Sequence, residues 1–269
     1  MRVGVYVYGI ASIAAGILDL VWGEFESAHQ PIQAWGDHIP GVTIFAYLTA
    51  VWLIVGGAAI LWRQSARAGA AALAILYGIF AVFSFPRLYT APLVFGHRPA
   101  VYIGVFVGIG QQLILVVAAA IVYASLSMRG SLSPRAALIA RWTFGLCSVD
   151  FGLAHFIAVR IVAPMVPKWM PFGGAFWAVL TGIAFVLAGL AILSGIRDVL
   201  AARLLALMLL VFSAFVLTPM IFALPHNHVA WGGNAYNLAA VGAAWIVADW
   251  LATRRQPVQN QQSAEPAPA

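Results

Sequence analysis

Charge is what this sequence lacks most. Only 8% of its 269 residues are charged while 63% are apolar, against about 25% charged in an ordinary soluble domain, so a water-facing surface cannot be covered. A soluble globular enzyme is excluded. Cysteine is nearly missing as well: Cys147 stands alone inside an apolar run, which removes a disulfide framework and Cys-based zinc or thiol redox chemistry. No CxxC, dinucleotide-binding glycine fingerprint or haem-attachment motif occurs. The net charge of +6 sits as single or paired basic residues at the ends of apolar runs, a topology signal rather than a nucleic-acid footprint.

What is present is long hydrophobic sequence, with a mean hydropathy of +0.95. Apolar runs between polar or Pro/Gly breaks predict eight membrane spans, near 3–23, 43–62, 68–86, 100–126, 136–160, 172–195, 199–222 and 230–252. The remainder, 253–269, is polar and Pro/Gln-rich and predicts a disordered cytoplasmic tail. If the N-terminus is cytoplasmic, Arg2, Arg63, Arg67, Arg129, Arg135, Arg141, Arg197, Arg203, Arg254 and Arg255 lie inside, and Arg87, Arg98, Arg160 and Lys168 outside. That bias predicts both termini in the cytoplasm of a multi-pass bacterial inner-membrane protein.

An internal repeat organises the chain. Gly9, Ser12, Gly16 and Asp19 recur as Gly145, Ser148, Gly152 and His155, a constant shift of 136 residues, and IVGGAAIL (54–61) parallels VLAGLAIL (186–193). Pro86 in the third span likewise parallels Pro219 in the seventh. The expected fold is therefore all-α, with eight transmembrane helices as two parallel four-helix repeats, 1–127 and 132–252, related by an axis along the membrane normal. Residues 1–23 would otherwise suit a signal peptide, but the repeat makes them the counterpart of a mid-chain helix.

Each four-residue set lies within about 80° on one helix face. Small residues there let another helix approach closely, whereas an ionisable group inside a span needs a partner or a wet cavity. Pseudo-symmetry therefore predicts Asp19 and His155 at one depth, facing the axis as a proton-handling pair or sharing a polar pocket. These are the candidate catalytic residues. Asn234 and Asn237 in the eighth span, with Gln111 and Gln112 in the fourth, are amides able to orient a ligand carbonyl, and Asn234, Asn237, Gln112 and the outer-boundary Trp22 are the candidate cofactor-binding residues. All six histidines fall on the outer side, where His29, His38, His97, His226 and His228 join Glu24, Glu26 and Asp37. Such an array has ligand chemistry for copper or zinc, but its spacing matches no defined site, so no metal ligand is assigned.

The segments YGIASIAAGILDLVWG (8–23), FGLCSVDFGLAHF (144–156), IVGGAAIL and NAYNLAAVGAAW (234–245) resemble the four-helix unit of the DoxX-like membrane proteins, over about 250 residues as a tandem duplication. Members of that family include the DoxD subunit of a thiosulfate:quinone oxidoreductase. The resemblance implies a quinone as cofactor, the lipid bilayer and a separate redox subunit as partners, and quinone-linked oxidation of a small substrate. A carrier of a small solute or metal, or a scaffold anchoring a soluble partner, are the other classes the sequence admits.

Overall fold

The computed structural model describes residues 2–26, 29, 40–128 and 130–263, the last nine of these as backbone only. Eight long helices dominate them: α1 (Arg2–Trp22), α2 (Val42–Leu61), α3 (Ala66–Ser84), α4 (Pro99–Ser125), α5 (Pro134–Ile157), α6 (Gly173–Ser194), α7 (Asp198–Ala223) and α8 (His228–Ser263). Each is long and apolar enough to cross a membrane; 20 residues of helix rise about 30 Å, the thickness of a bilayer's hydrocarbon core. Large apolar side chains such as Ile10, Leu48, Trp52, Val82, Leu187 and Leu207 face outward, as lipid contact requires. The chain is a multi-pass membrane protein.

Local sequence sets the helix ends. Pro99 and Pro134 occupy first turns, where the missing N–H costs nothing, and the Ser133 hydroxyl accepts from Ala136 N. Gly23, at φ 68°, donates its N–H to the Asp19 carbonyl and turns the chain sharply out of α1. Two boundaries depart from the sequence reading. Pro86 does not lie in the third span: α3 stops at Ser84, and Pro86 opens a separate short helix, Arg87–Phe95. Pro219 does lie inside its span, where the preceding turn widens to a π-helix at Ser213–Leu217. A proline has no N–H and its ring crowds the carbonyl four residues back, and a widened turn relieves that crowding. Helical backbone also continues to Ser263, into the segment expected to be a tail, and residues 264–269 lie outside the described ones.

Helix neighbours follow one pattern twice. In the first set α1 packs on α2, α2 on α3 and α3 on α4; in the second α5 packs on α6, α6 on α7 and α7 on α8. The sets meet through α1 against α8, α4 against α5 and α4 against α8. In α4 and α8, 61% and 72% of the span is buried, against 22–44% in the other six, so these two form the centre.

Small residues decide how closely the outer helices approach. A Cβ on Gly57 would lie 2.7 Å from the Gly9 carbonyl, and one on Gly189 would lie 2.6 Å from the Gly145 carbonyl. Gly16 stands equally close to the Ala50 carbonyl, as Gly152 does to that of Gly182. The small-residue stripe is thus the seam of α1 on α2 and of α5 on α6. Gly57→Ala and Gly189→Ala should each lower stability by about 1–3 kcal/mol, because backbone cannot yield as a side chain can. Gly78→Ala, whose added Cβ meets nothing within 4 Å, should be neutral or stabilise by up to about 1 kcal/mol. Thermal unfolding in detergent measures all three; equal losses at Gly57, Gly189 and Gly78 would contradict the seam.

Candidate functional site

Two features meet at the end of the bundle where α1 stops and α8 begins. The first is a buried ionic cluster around Asp19, which has no exposed surface. Asp19 lies in the last turn of α1, where the helix dipole disfavours a negative charge, so its carboxylate needs donors from elsewhere. The reversal at Gly23 returns the chain, and Glu26 N donates to Asp19 Oδ1 at 2.9 Å. His228, the first residue of α8, places Nε2 3.4 Å from Oδ1, and His29 places Nδ1 3.8 Å from Oδ2. The other nitrogen of His228, Nδ1, lies 3.2 Å from Oε1 of Glu24, whose side chain is 59% exposed.

Aromatic packing holds both imidazoles. Trp22 stacks on His228 with ring centres 4.9 Å apart and planes 5° from parallel. His29 stacks on Phe80 at 4.6 Å, with Tyr77 at 6.0 Å. Below them the Tyr77 hydroxyl is 3.1 Å from Ser12 Oγ, and Tyr8 donates to the Leu115 carbonyl. Tyr8, Ser12 and Asp19 of α1 thus each have a polar partner.

The second feature is a cavity of about 830 Å³ enclosed by α4, α5, α6, α7 and α8. Its wall is mainly apolar and aromatic, including Phe151, Phe185, Phe212, Trp169 and Trp177, with Gln111, Ser148, His155, Thr181, Tyr236 and Asn237 as polar groups. Trp169, Leu204, Leu207 and Phe215 belong both to this wall and to the exposed surface of the bundle, so the cavity opens through an apolar rim. The π-turn of α7 contributes Phe215, Val216 and Leu217 to it.

One residue touches both features. Glu26, 2% exposed, lines the cavity and bonds to Asp19 through its backbone N–H. Gly232 of α8 makes room for it, since a Cβ there would lie 2.0 Å from Glu26 Cγ.

The residues singled out from sequence divide between the features. Asp19 and Trp22 belong to the ionic cluster, while His155, Gln111 and Asn237 line the cavity. Among the described residues no hydrogen bond or ion pair joins Asp19 to His155. Instead His155 Nδ1 donates to the Phe151 carbonyl at 2.8 Å, and its ring lies 5.1 Å from Phe185 and 6.3 Å from Phe212. That bond leaves Nε2 of a neutral ring as an acceptor. The Asn237 amide donates to the Leu209 carbonyl and to Ser213 Oγ, and that of Asn234 to Thr218 Oγ1. Both therefore brace the irregular stretch of α7. Gln112 is buried outside the cavity wall, where its neighbour Gln111 takes part.

His29 and His228 are the partners of Asp19 that sequence reasoning missed as such, having placed them in a loop array with the acids. Their position at one end of the bundle was the available signal. His38 and Asp37 of that array lie outside the described residues. Among the described residues no three His, Cys, Asp or Glu side chains are arranged to hold a metal ion.

No family model matches this chain, and no curated protein or solved structure matches it either.

His29 lies outside the spans. Its burial opposes a charged ring, but the Asp19 carboxylate 3.8 Å away and the field of Glu26 outweigh that and hold its pKa above the ordinary 6.5. A pKa raised by folding stabilises the fold fully below the unfolded value, and the contribution is lost as pH rises through the folded value. Thermal stability in detergent should accordingly fall as pH is raised from below 6.5 through neutrality, and His29→Gln should flatten that slope. A wild-type profile already flat across this range would contradict the pairing.

Proposed function

We propose that this chain is a DoxX-like membrane protein that binds a quinone-class ligand in the cavity among α4 to α8. The observation that carries the reading is the wall itself: about 830 Å³ of apolar and aromatic surface with His155 at its side and an apolar rim. A volume of roughly 300–1,000 Å³ lined by aromatics and a few polar groups suits a small lipophilic molecule. A ligand dissolved in the bilayer meets that rim directly, whereas a hydrated solute would lose its water against it. The wall favours a lipophilic ligand over the polar solute of a carrier.

A quinone ring fits the residues present. Phe151, Phe185 and Phe212 offer faces for stacking, His155 offers an acceptor to a quinol hydroxyl, and Gln111 and Thr181 offer further polar contacts. When bound, a quinone supplies a two-electron, two-proton acceptor, and a separate redox subunit would deliver the electrons. The chain's own residues bind and orient the ring and exclude water.

The repeat belongs to this reading too. Matched neighbour relations and the paired Gly57/Gly9 and Gly189/Gly145 contacts favour two parallel four-helix halves. We place both termini in the cytoplasm of a bacterial inner membrane. Reporter fusions after Arg63 and after Gly23 should then report cytoplasm and exterior respectively; the reverse pattern overturns the orientation.

Decylubiquinone provides the ligand test. It should quench the fluorescence of Trp169 and Trp177 saturably and raise the melting temperature, as a molecule binding only the folded state must. Ala178→Phe, which fills the cavity, should abolish both effects, and His155→Phe should weaken binding about tenfold, the loss of one hydrogen bond. Quenching that persists unchanged in Ala178→Phe would place the ligand elsewhere.

A further inference from the structure

We infer that Glu26, His29, Asp19, His228 and Glu24 form a proton path between the cavity and the aqueous surface at the Glu24 end of the bundle. The inference deepens the quinone reading, since a ligand that exchanges protons inside an apolar cavity needs a route for them.

The residues alternate carboxylate and imidazole. Glu26 lines the cavity at one end, and Glu24, 59% exposed, meets solvent at the other. Between them His29 donates its backbone N–H to the Glu26 carbonyl, lies in the field of the Glu26 carboxylate and places Nδ1 3.8 Å from Asp19, and His228 stands between Asp19 and Glu24. An imidazole with one nitrogen toward each of two carboxylates can accept a proton on one side and release another from the opposite side. His228 has that geometry, with Nε2 3.4 Å from Asp19 and Nδ1 3.2 Å from Glu24.

Here Asp19 Oδ2, His29 Nδ1 and His228 Nε2 are buried and make no hydrogen bond, yet they face charged partners at 3.4 and 3.8 Å. Closing the longer gap takes about an ångström of side-chain motion. Alternative pairings therefore lie close together in geometry, and a relay uses them in turn.

Among the described residues the other titratable groups nearby are Tyr77 of α3 beside His29, and Tyr236 of α8 and His155 of α5 in the cavity wall. In the relay one proton enters from water at Glu24 and one leaves Glu26 for the ligand, whose electrons come from the redox subunit. Every intermediate group gains one and loses one, and no bond to carbon changes.

The relay is tested on the full chain in lipid nanodiscs, where both faces meet the buffer. A rapid pH jump is followed by time-resolved infrared difference spectroscopy of the carboxyl bands, with Asp19→Asn assigning the Asp19 band. His228→Gln and Glu24→Gln should slow protonation of the buried carboxyls at least tenfold and leave the final amplitude of the buried carboxyl bands unchanged. Glu24→Gln alters an exposed side chain, so it carries the test if His228→Gln fails to fold. Unchanged rates in Glu24→Gln overturn the path, as does a carboxyl response that vanishes on chelation of divalent metal. Decylubiquinone binding is measured on the same samples. Its absence in the wild type strikes the ligand reading alone, because the pH-jump rates are obtained without ligand.

Discussion

A carboxylate buried in an apolar bundle sets the terms for everything around it. Asp19 cannot be left ionised without partners, and its place in the last turn of α1 adds the unfavourable end of the helix dipole. Its partners come from three places in the chain: the backbone N–H of Glu26, which donates to it, and the imidazoles of His29 beyond it and of His228 at the head of α8, which stand within ion-pair distance. Satisfying Asp19 therefore bends the segment after α1 back over the bundle and fixes where α8 begins. The same bend carries Glu26 to the cavity wall. One electrostatic requirement thereby links the first helix of the chain to a chamber built by its last five.

The two sets of helices use similar seams to enclose different interiors. Glycine against backbone brings α1 onto α2 and α5 onto α6 at corresponding positions. Inside the first set, Tyr8, Tyr77, Phe80, Phe25 and His29 fill the space with interlocking rings. In the second, Phe144 stands at the position corresponding to Tyr8, and the space beyond it remains a cavity. Close helix approach is a property of small residues on the seam, whereas openness depends on the volumes facing inward. A scaffold can thus keep the first and alter the second.

Much of the scaffold was legible because the bilayer simplifies the problem: a run of about 20 apolar residues must be a helix. The Gly9, Ser12, Gly16 stripe was readable as a seam for the same reason, since helical periodicity fixes which residues share a face. The expected pairing of Asp19 with His155 was not readable. The sequence repeat predicts a common depth and facing, but α4 and α8 occupy the centre, with α1 against one and α5 against the other. Residues at matching places in the two sets therefore acquire separate surroundings. The partners of Asp19 were hidden because a returning loop has no periodicity to betray where it lands. The π-turn of α7 left Pro219 as its signal, though Pro86 shows that proline alone does not tell a widened turn from a helix end.

Charge is scarce enough in this chain for its placement to carry information. Of eight acidic residues, three gather within the Asp19 cluster, together with two of the six histidines. By contrast, the buried Asp198 at the start of α7 accepts from Val199 N and pairs with Arg141 of α5, whose guanidinium is permanently charged. Asp19 is surrounded instead by imidazoles, which change charge near neutral pH. A bundle that required only neutralisation at this point could have used an arginine, as it does at Asp198. Titratable partners make the charge state of the cluster depend on its surroundings, and Glu26 and Glu24 give it contact with the cavity on one side and with water on the other.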